Sequence, residues 1–252
     1  MAREFSGMLI FIVPAYNEED NIATLLENTR NFAKSNKYDY KIVVINDGSV
    51  DRTLEILKDY QKTMPIVILD QMINKGVGEA FKRGFSYVAE TSSDDDVVIS
   101  KEADNTSDLG ILLQMLDKIN QGYDLVLASC YISGGGVEGT NLFRRILSSG
   151  ANLLLKNFSN LKEVHTYSSF YRVYKAILIK KVYSLYGDNL ITEKGFSCMV
   201  ELLFKFSKLN IKIAEVPMIL KGALRKGRSK MRVISTIFAY FRLILKNLIF
   251  NL

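Results

Sequence analysis

The sequence is poor in the residues that form disulfide frameworks and zinc sites. Its 252 residues include 2 cysteines and 1 histidine. Cys130 and Cys198 stand far apart in the chain, so they form no disulfide framework, and they indicate a reducing compartment. His165 has no neighbours at zinc-ligand spacing, and no serine–histidine–aspartate or cysteine–histidine pairing is visible. The sequence therefore argues against a disulfide-rich domain, a zinc site and a triad-type nucleophile.

Long apolar runs are also absent. No segment reaches the roughly 18 uncharged apolar residues that a transmembrane helix needs. Met8–Val13 is apolar but too short for the hydrophobic region of a signal peptide, and it ends at a proline. We therefore expect no transmembrane helix and a soluble or peripheral protein.

The composition fits one sizeable globular domain. Hydrophobic residues make up 48% of the chain and charged residues 24%, and the formal net charge is +6. The basic residues are unevenly placed, because Lys221–Arg232 is rich in lysine and arginine and contains no acid. Such a cluster suits a phosphate-bearing partner, and nucleic acid, an anionic lipid or a nucleotide diphosphate all qualify.

Short apolar runs alternate with helix-like stretches through the first half of the chain. The predicted strands are Met8–Val13, Lys41–Ile45, Ile66–Leu69, Asp96–Ser100 and Asp124–Ser129. The predicted helices are Asn17–Asn36, Asp51–Gln61, Gly76–Glu90 and Leu109–Asn120. This alternation predicts an α/β fold with an open, mainly parallel sheet and helices on both faces. Ligands of such sheets bind at the carboxyl ends of the strands.

The pattern changes after Gly134. Helices are predicted over Asn141–Phe158 and Gly195–Leu209, and a strand over Ile211–Glu215. Tyr167–Tyr174 is either a strand or an irregular segment. Neither an internal repeat nor a linker is visible, which favours a single domain.

The C-terminal segment Met231–Leu252 has a basic stripe and a broad apolar face. At helical spacing the stripe consists of Arg232, Ser235, Ala239, Arg242 and Lys246, with Leu243 as the one large apolar residue on that side. The remaining positions are Val233, Ile234, Ile237, Phe238, Phe241, Ile244, Leu245, Leu248 and Ile249. This pattern indicates a helix lying in the plane of a membrane interface. A helix that buries its apolar face on the domain or on a partner remains the alternative.

Carboxylates recur just after the predicted strands. They are Glu18 and Glu19 after the first strand, Asp47 and Asp51 after the second, and Glu102, Asp104 and Asp108 after the fourth. Asp51 and Asp108 are interpreted as helix caps. The others would meet at one sheet edge and repel each other without a cation, so they predict a Mg²⁺ or Mn²⁺ site that also holds a diphosphate.

Two further segments suit phosphate groups. Asn74–Ala80 opens a helix with two glycines, so it either presents backbone amides to a phosphate or forms a tight packing turn. It is neither a GxGxxG fingerprint nor a P-loop. Arg225–Lys230 is either a basic flap over phosphates or a solvated surface loop.

Four motifs, in this order and spacing, resemble family 2 glycosyltransferases of the GT-A fold. They are IVPAYNEEDNI at Ile12–Ile22, VINDGSVDRT at Val44–Thr53, NKGVGEAF at Asn74–Phe81 and EADNTSDL at Glu102–Leu109. Three more resemble the dolichyl-phosphate mannose synthase-like subgroup. These are GGGVEGTNLFRRILSSGANLL at Gly134–Leu154, IAEVP at Ile213–Pro217 and GRSK at Gly227–Lys230. The resemblance covers nearly the whole chain.

The resemblance implies roles for matching residues. The nucleotide-sugar would be bound by Pro14, Ala15, Tyr16, Glu18, Asp47, Lys75, Glu102, Ala103 and Asp104. Glu102 and Asp104 would hold the Mg²⁺ or Mn²⁺ ion. The residues acting on the phosphates would be Asp104, Arg144, Arg145, Arg225, Arg228 and Lys230, with the Arg144–Arg145 pair near the acceptor phosphate. Residues 1–230 would form the GT-A domain and residues 231–252 the amphipathic helix.

The chain also departs from the subgroup. Cys130 replaces the arginine of a Ser-Arg-Tyr motif, and Thr166 replaces the aspartate of an Asp-x-Thr-x-Gly-Phe-Arg segment whose glycine is also lost. Thr106 stands where the mannose synthases have glutamine, and Glu102 replaces the first metal-motif aspartate. These changes leave the sugar and the acceptor open.

The resemblance implies inverting transfer of a hexose from a GDP-mannose or UDP-glucose type donor to a polyprenyl or dolichyl phosphate. A phosphate acceptor needs no general base, and the second half of the chain offers no clear one. The protein would act as a peripheral protein at the cytoplasmic membrane face, with an integral-membrane partner as one means of attachment. The alternatives are a saccharide or cell-surface glycan acceptor, or a nucleotide-sugar binding protein with weakened catalysis. Nucleic-acid binding is not expected, because the basic residues lack interleaved aromatics.

Overall fold

The fold is described by a computed structural model covering residues 6–139, 150, 152–158, 161, 163–227 and 233–250. The strands are β1 Leu9–Ala15, β2 Tyr40–Asp47, β3 Ile66–Gln71, β4 Val97–Ser100, β5 Leu125–Ser129, β6 Gly136–Glu138, β7 Arg172–Lys175, β8 Ile213–Pro217 and β9 Ile219–Lys221. The helices are α1 Ile22–Ser35, α2 Thr53–Gln61, α3 Val77–Thr91, α4 Leu112–Asn120, α5 at residues 152–158, α6 Ala176–Tyr186, α7 Cys198–Phe206 and α8 Val233–Phe250. Short 3-10 turns occupy Leu109–Ile111, Gly187–Asn189 and Gly222–Leu224.

A 7-stranded sheet with the order β3-β2-β1-β4-β7-β5-β8 forms the centre of the molecule. The β1–β2, β1–β4, β2–β3 and β5–β8 pairs are parallel, whereas β7 is antiparallel to both β4 and β5. The expectation of a mainly parallel α/β sheet is confirmed. The first part of Tyr167–Tyr174 is irregular, whereas its last residues belong to β7, so each of the two predicted alternatives holds for part of the segment. A second sheet pairs β6 with β9.

Alternating residues of β1 point into two separate cores, as the pleat of a strand requires. Ile10 and Ile12 belong to the core that also contains residues of α3, α6, α7 and α8. Leu9, Phe11 and Val13 belong to the core on the other face, together with residues of α1, α2 and α4. Both faces of the sheet are therefore covered, which explains why the β1 sequence is apolar at every position.

Several element boundaries differ from the predicted ones. Helix α1 begins at Ile22 rather than Asn17, because Asn17 adopts a positive φ of 49° that interrupts a helix. Helix α7 begins at Cys198 rather than Gly195. Helix α6 and the β6–β9 pair were not predicted. Of the predicted helix Asn141–Phe158, residues 152–158 are helical and most of the remainder lies outside the described residues.

Helix α8 packs on the body of the protein along one side only. Tyr240, Leu243 and Ile244 are buried against α7 and its neighbours. The opposite side carries an apolar strip of exposed side chains, with exposed fractions of 71% for Phe238, 48% for Phe241, 57% for Leu245 and 59% for Leu248. The alternative, burial of an apolar face on the domain, thus holds for one side of the helix, and the membrane-interface interpretation stays a prediction. Within the described residues, no helix combines the length and the hydropathy of a bilayer-crossing segment.

Candidate active site

The carboxyl ends of β1, β2 and β4 open into one cavity of about 1220 Å³. Of the residues predicted to bind the nucleotide-sugar, the cavity is lined by Pro14, Ala15, Tyr16, Glu18, Asp47, Glu102, Ala103 and Asp104. Parallel strands bring their carboxyl ends to the same sheet edge, which explains why residues so distant in sequence converge here. Lys75 does not line the cavity, and its side chain is exposed.

Asp47 organises the turn that precedes α3. Its carboxylate accepts hydrogen bonds from the backbone N–H of Lys75 at 2.8 Å and of Gly76 at 2.9 Å. Burial raises the pKa of Asp47, and the two amide bonds oppose that shift. Gly76 has a φ of 96°, a conformation that side chains rarely adopt. The contribution of Lys75 visible in the structure is therefore its backbone amide.

The loop of residues 101–107, here called the carboxylate loop, places Glu102 and Asp104 on the cavity wall. Asp104 is buried and accepts hydrogen bonds from the backbone N–H and the hydroxyl of Thr106, the latter at 2.7 Å. Burial and the negative charge of Asp104 raise the pKa of Glu102 to about 8. Thr106, which replaces the glutamine of the mannose synthases, thus orients a carboxylate.

A buried lysine supports the carboxylate loop from within, and sequence reasoning missed it. Lys101 is 2% exposed, and its Nζ donates to the carbonyl of Ser107 at 2.6 Å. Burial lowers the pKa of Lys101 to about 8, although the charges of Asp104 and Glu102 oppose the shift. The one sequence signal for this buried cation is that the lysine directly follows the apolar strand β4.

The paired carboxylates fit a divalent cation. Burial, followed by the negative charge of Asp104, disfavours the ionised form of Glu102, and a bound cation would favour that form. No group of three or more candidate ligands occurs among the described residues. Mg²⁺ is commonly held by one or two carboxylates together with substrate phosphates, so Glu102 and Asp104 suffice on the protein side.

A strap formed by residues 221–227 covers the carboxylate loop. Arg225 donates from Nε to Oδ2 of Asp104 at 2.7 Å, and its Nη2 contacts the same oxygen. Lys226 is bonded through its backbone to the side chain of Asn21, a residue that the motif analysis did not single out. The other basic residues predicted to act on phosphates lie outside the described residues. These are Arg144, Arg145, Arg228 and Lys230.

The side chains of Cys130 and Thr166, which line the cavity, carry no charge at the positions where the subgroup has an arginine and an aspartate. Thr166 lies beside Ser129, with 2.5 Å between the two hydroxyl oxygens. Burial raises the pKa of the neighbouring Cys130 thiol to about 11, so this side chain is neutral. Ser235 and Tyr240 of α8 also line the cavity. The cavity therefore extends from the sheet edge to the last helix.

Sequence comparison places the chain among transferases of sugars. Residues 10–183 match the model of Glycosyl transferase family 2. A dolichol-phosphate mannosyltransferase of Pyrococcus furiosus is 29% identical over 235 residues, which cover 92% of this chain and 61% of that relative. A polyprenol monophosphomannose synthase of Mycolicibacterium smegmatis is 23% identical over 210 residues, covering 82% of this chain and 75% of the relative. The chain thus spans less than two thirds of the Pyrococcus relative.

Solved structures of the same fold agree with the α/β architecture. Glucosyl-3-phosphoglycerate synthase of Mycobacterium tuberculosis, crystallised with Mn²⁺, uridine diphosphate and glucosyl-3-phosphoglycerate, superimposes with a TM-score of 0.62. It is 20% identical, and the match covers 96% of this chain and 79% of that one. Because the family model matches well over half of the sequence and the fold agrees, this chain belongs to glycosyl transferase family 2.

Proposed function

We propose that this protein transfers a hexose from a nucleoside-diphosphate sugar to a polyprenyl or dolichyl phosphate at the cytoplasmic face of a membrane, with inversion. The main support for this proposal is a single cavity. It is lined by Asp47 and the Glu102–Asp104 pair at one end and by helix α8 at the other. Its volume of about 1220 Å³ suits a nucleotide-sugar together with part of an acceptor. The relatives named for dolichol and polyprenol phosphates support the acceptor class.

In this proposal the residues of the first half bind the donor. Pro14–Tyr16 and Asp47 flank the nucleotide, and Glu102 and Asp104 hold the Mg²⁺ or Mn²⁺ ion. The bound cation would stabilise negative charge on the departing nucleoside diphosphate. Arg225 lies at the same place and adds a second positive charge, which favours cleavage of the bond between sugar and phosphate. The predicted roles of Arg144, Arg145, Arg228 and Lys230 remain predictions.

The composition of the acceptor end favours an acceptor that is already ionised. Among the described residues after Ser129 that line the cavity, none is a histidine, aspartate or glutamate. A hydroxyl acceptor requires a general base to remove its proton, whereas a phosphate attacks through an oxygen that is ionised near neutral pH. The exposed apolar strip of α8 adjoins this end and supports an acceptor that resides in a membrane.

Neutral side chains at the acceptor end favour a second candidate, transfer to a saccharide or cell-surface glycan. Cys130 and Thr166 give this region hydroxyl and thiol groups in place of an arginine and an aspartate. Such groups can bind sugar hydroxyls without the charge that a phosphate prefers. Comparing undecaprenyl phosphate with oligosaccharide acceptors in the same assay separates the two candidates.

The test is transfer from GDP-mannose and UDP-glucose, in parallel, onto undecaprenyl phosphate in detergent with Mn²⁺ or Mg²⁺. We expect product from one donor, and loss of product in Asp104→Asn. Asp108→Asn is the matched control, because this exposed carboxylate caps the 3-10 turn by accepting from Gly110 N–H at 2.8 Å and does not line the cavity. Donor binding without product on any acceptor would instead indicate a nucleotide-sugar binding protein.

A further inference from the structure

Asn21 occupies a helix N-terminus without capping it. It precedes α1, where asparagine usually accepts a hydrogen bond from a backbone amide of the first turn. Here its side chain makes no capping bond, and its backbone is helical, with a φ of −112° and a ψ of −35°. The residue is 3% exposed. A buried amide that does not cap its own helix is engaged elsewhere.

The Asn21 side chain connects the start of α1 to the strap. Its Oδ1 accepts from the backbone N–H of Lys226 at 3.2 Å, and its Nδ2 donates to the Lys226 carbonyl at 3.0 Å. The same Nδ2 donates to Oε2 of Glu18 at 2.7 Å. The reciprocal pair with Lys226 fixes the backbone of the strap in the way that a neighbouring β-strand would.

Asn21 also contacts the carboxylate loop. Its carbonyl accepts from Nδ2 of Asn105 at 2.9 Å, and Asn105 has a positive φ of 59° that only a few residue types adopt readily. One residue therefore joins the donor-side loop, the carboxylate loop and the strap. Removing its side chain would free the strap backbone at Lys226 while leaving the other two segments attached to the sheet.

The strap residue next to Lys226 is Arg225, whose guanidinium lies on Asp104. Its Nε is 2.7 Å from Oδ2 of that carboxylate. A divalent cation bound to Asp104 would need oxygen lone pairs that the guanidinium now uses, and its charge would repel Arg225. The arginine and the cation are therefore competitors for the same carboxylate.

We propose that Asn21 is a positioning residue that holds Arg225 on Asp104 until the divalent cation and the donor bind together. In this arrangement the cation displaces the guanidinium from Asp104, and the strap, still held through Lys226, keeps Arg225 within reach of the donor diphosphate. The inference rests on the proposed function, because it assigns Glu102 and Asp104 to the cation.

The proposal predicts opposite changes in the affinities for Mn²⁺ and for the nucleotide, a pattern that destabilisation of the protein does not produce. Freeing Asp104 from Arg225 should tighten the binding of Mn²⁺ alone, by about tenfold if the guanidinium occupies the carboxylate nine-tenths of the time. Losing the strap should weaken the binding of the nucleoside diphosphate in the presence of Mn²⁺. A merely destabilised protein would bind both more weakly.

The experiment compares the full chain with its Asn21→Ser and Arg225→Met variants. Serine is as favourable as asparagine at a helix N-terminus, so Asn21→Ser removes the contacts to Lys226 without weakening α1. Asn36→Ser is the matched control, because Asn36 lies at the other end of the same helix and donates only to the Phe32 carbonyl in the described structure. Mn²⁺ binding is followed by the electron paramagnetic resonance signal of the free ion. Binding of GDP and of UDP at saturating Mn²⁺ is followed by calorimetry.

Tighter Mn²⁺ binding together with weaker nucleotide binding, in both variants and not in Asn36→Ser, is the expected result. If Asn21→Ser leaves Mn²⁺ affinity unchanged or lowers it while the unmodified chain binds both ligands, the positioning role is overturned and the proposed function stands. If the unmodified chain binds neither Mn²⁺ nor a nucleotide with Mn²⁺, the proposed function fails and this inference fails with it.

Discussion

Arg242 of α8 donates from Nη2 to both carboxylate oxygens of Glu193, at 2.7 Å from Oε1 and 2.5 Å from Oε2. The Glu193 side chain is 3% exposed, whereas that of Arg242 is 59% exposed. Ser197 also donates to Glu193, and Lys246 lies 4.0 Å away. The last helix is therefore attached to the body through a buried acid on the loop that precedes α7.

Replacing Arg242 by methionine should lower the free energy of unfolding by about 1 kcal/mol. The substitution keeps the apolar stem but leaves a buried carboxylate with fewer partners, and the exposure of Arg242 reduces the loss below that of a fully buried charged hydrogen bond. Urea denaturation measures the change. Lys58→Met, at an exposed position of α2, should leave the midpoint unchanged, and an equal loss in both variants would contradict the assignment.

Cation binding should become tighter as the pH rises towards 8. Because the pKa of Glu102 is raised to about 8, its carboxyl is largely protonated at pH 6 to 7 and must release a proton before it can bind a metal ion. The affinity for Mn²⁺ should increase by about tenfold per pH unit below that pKa. Calorimetry in buffers with different ionisation enthalpies measures the released proton directly.

The variant Glu102→Gln should remove both the proton release and the pH dependence. Lys101→Met is the control, since the pKa of Lys101 is also shifted to about 8. If the pH dependence persists in Glu102→Gln and disappears in Lys101→Met, the released proton comes from the lysine and the assignment to Glu102 is wrong.

The apolar strip of α8 should mediate binding to membranes. The double variant Phe238→Ser, Leu245→Ser removes two exposed apolar side chains, each worth about 2 kcal/mol when buried in a lipid interface. We expect the partition onto anionic vesicles in a flotation assay to fall by about 100-fold or more, with an unchanged urea midpoint. Leu185→Ser is the control, because Leu185 is 61% exposed on α6. Equal flotation of the double variant and the unmodified chain would exclude the strip as the binding surface.

Gly78→Ala should destabilise the protein despite the better helix propensity of alanine. A Cβ at this position of α3 would lie 1.8 Å from the backbone carbonyl oxygen of Glu193, so one of the two segments must move. We expect a loss of about 2 to 3 kcal/mol in the free energy of unfolding, the upper part of the range for overpacking. Gly136→Ala, which meets no atom within 4 Å, should show a much smaller change. Similar midpoints for both variants would refute the close contact.

The carboxylates at the sheet edge could be predicted because their placement follows from local pattern and one topological rule. The predicted strands end at Ile45 and Ser100, two residues before Asp47 and Glu102, and parallel strands bring such residues together. Once the strand ends are known, few other placements of these carboxylates remain possible. The cavity confirms that these side chains converge, although their roles in binding remain predictions.

The contacts of Asn21 could not be predicted in the same way. Asn21 and Lys226 are 205 residues apart, and neither hydrophobic periodicity nor turn chemistry encodes that pairing. An asparagine before an amphipathic run is normally interpreted as a helix cap. Because this local role accounts for the residue, the sequence gives no reason to expect a tertiary contact with Lys226. The position of Arg225 depends on the same pairing.

The orientation of α8 was only half determined by its sequence. A helical projection separates the basic stripe from the apolar residues, but it does not say which edge faces the protein. Ile244 belongs to the apolar face by sequence and is buried in the structure, whereas Phe238 on the same face is exposed. The buried Glu193, which attracts Arg242, decides between the two edges.

The position of β7 affects how the chain can fold while it is being synthesised. Both hydrogen-bonding neighbours of β5 in the described sheet, β7 and β8, come later in the chain, whereas β1 to β4 pair among themselves. A nascent chain can therefore assemble its first four strands, whereas β5 stays unpaired until β7, which begins at Arg172, has been synthesised. At about 5–20 residues per second this interval lasts seconds, during which an apolar strand has both edges open to other chains. Protection of β5 by a chaperone or by the ribosome surface would matter most in that interval.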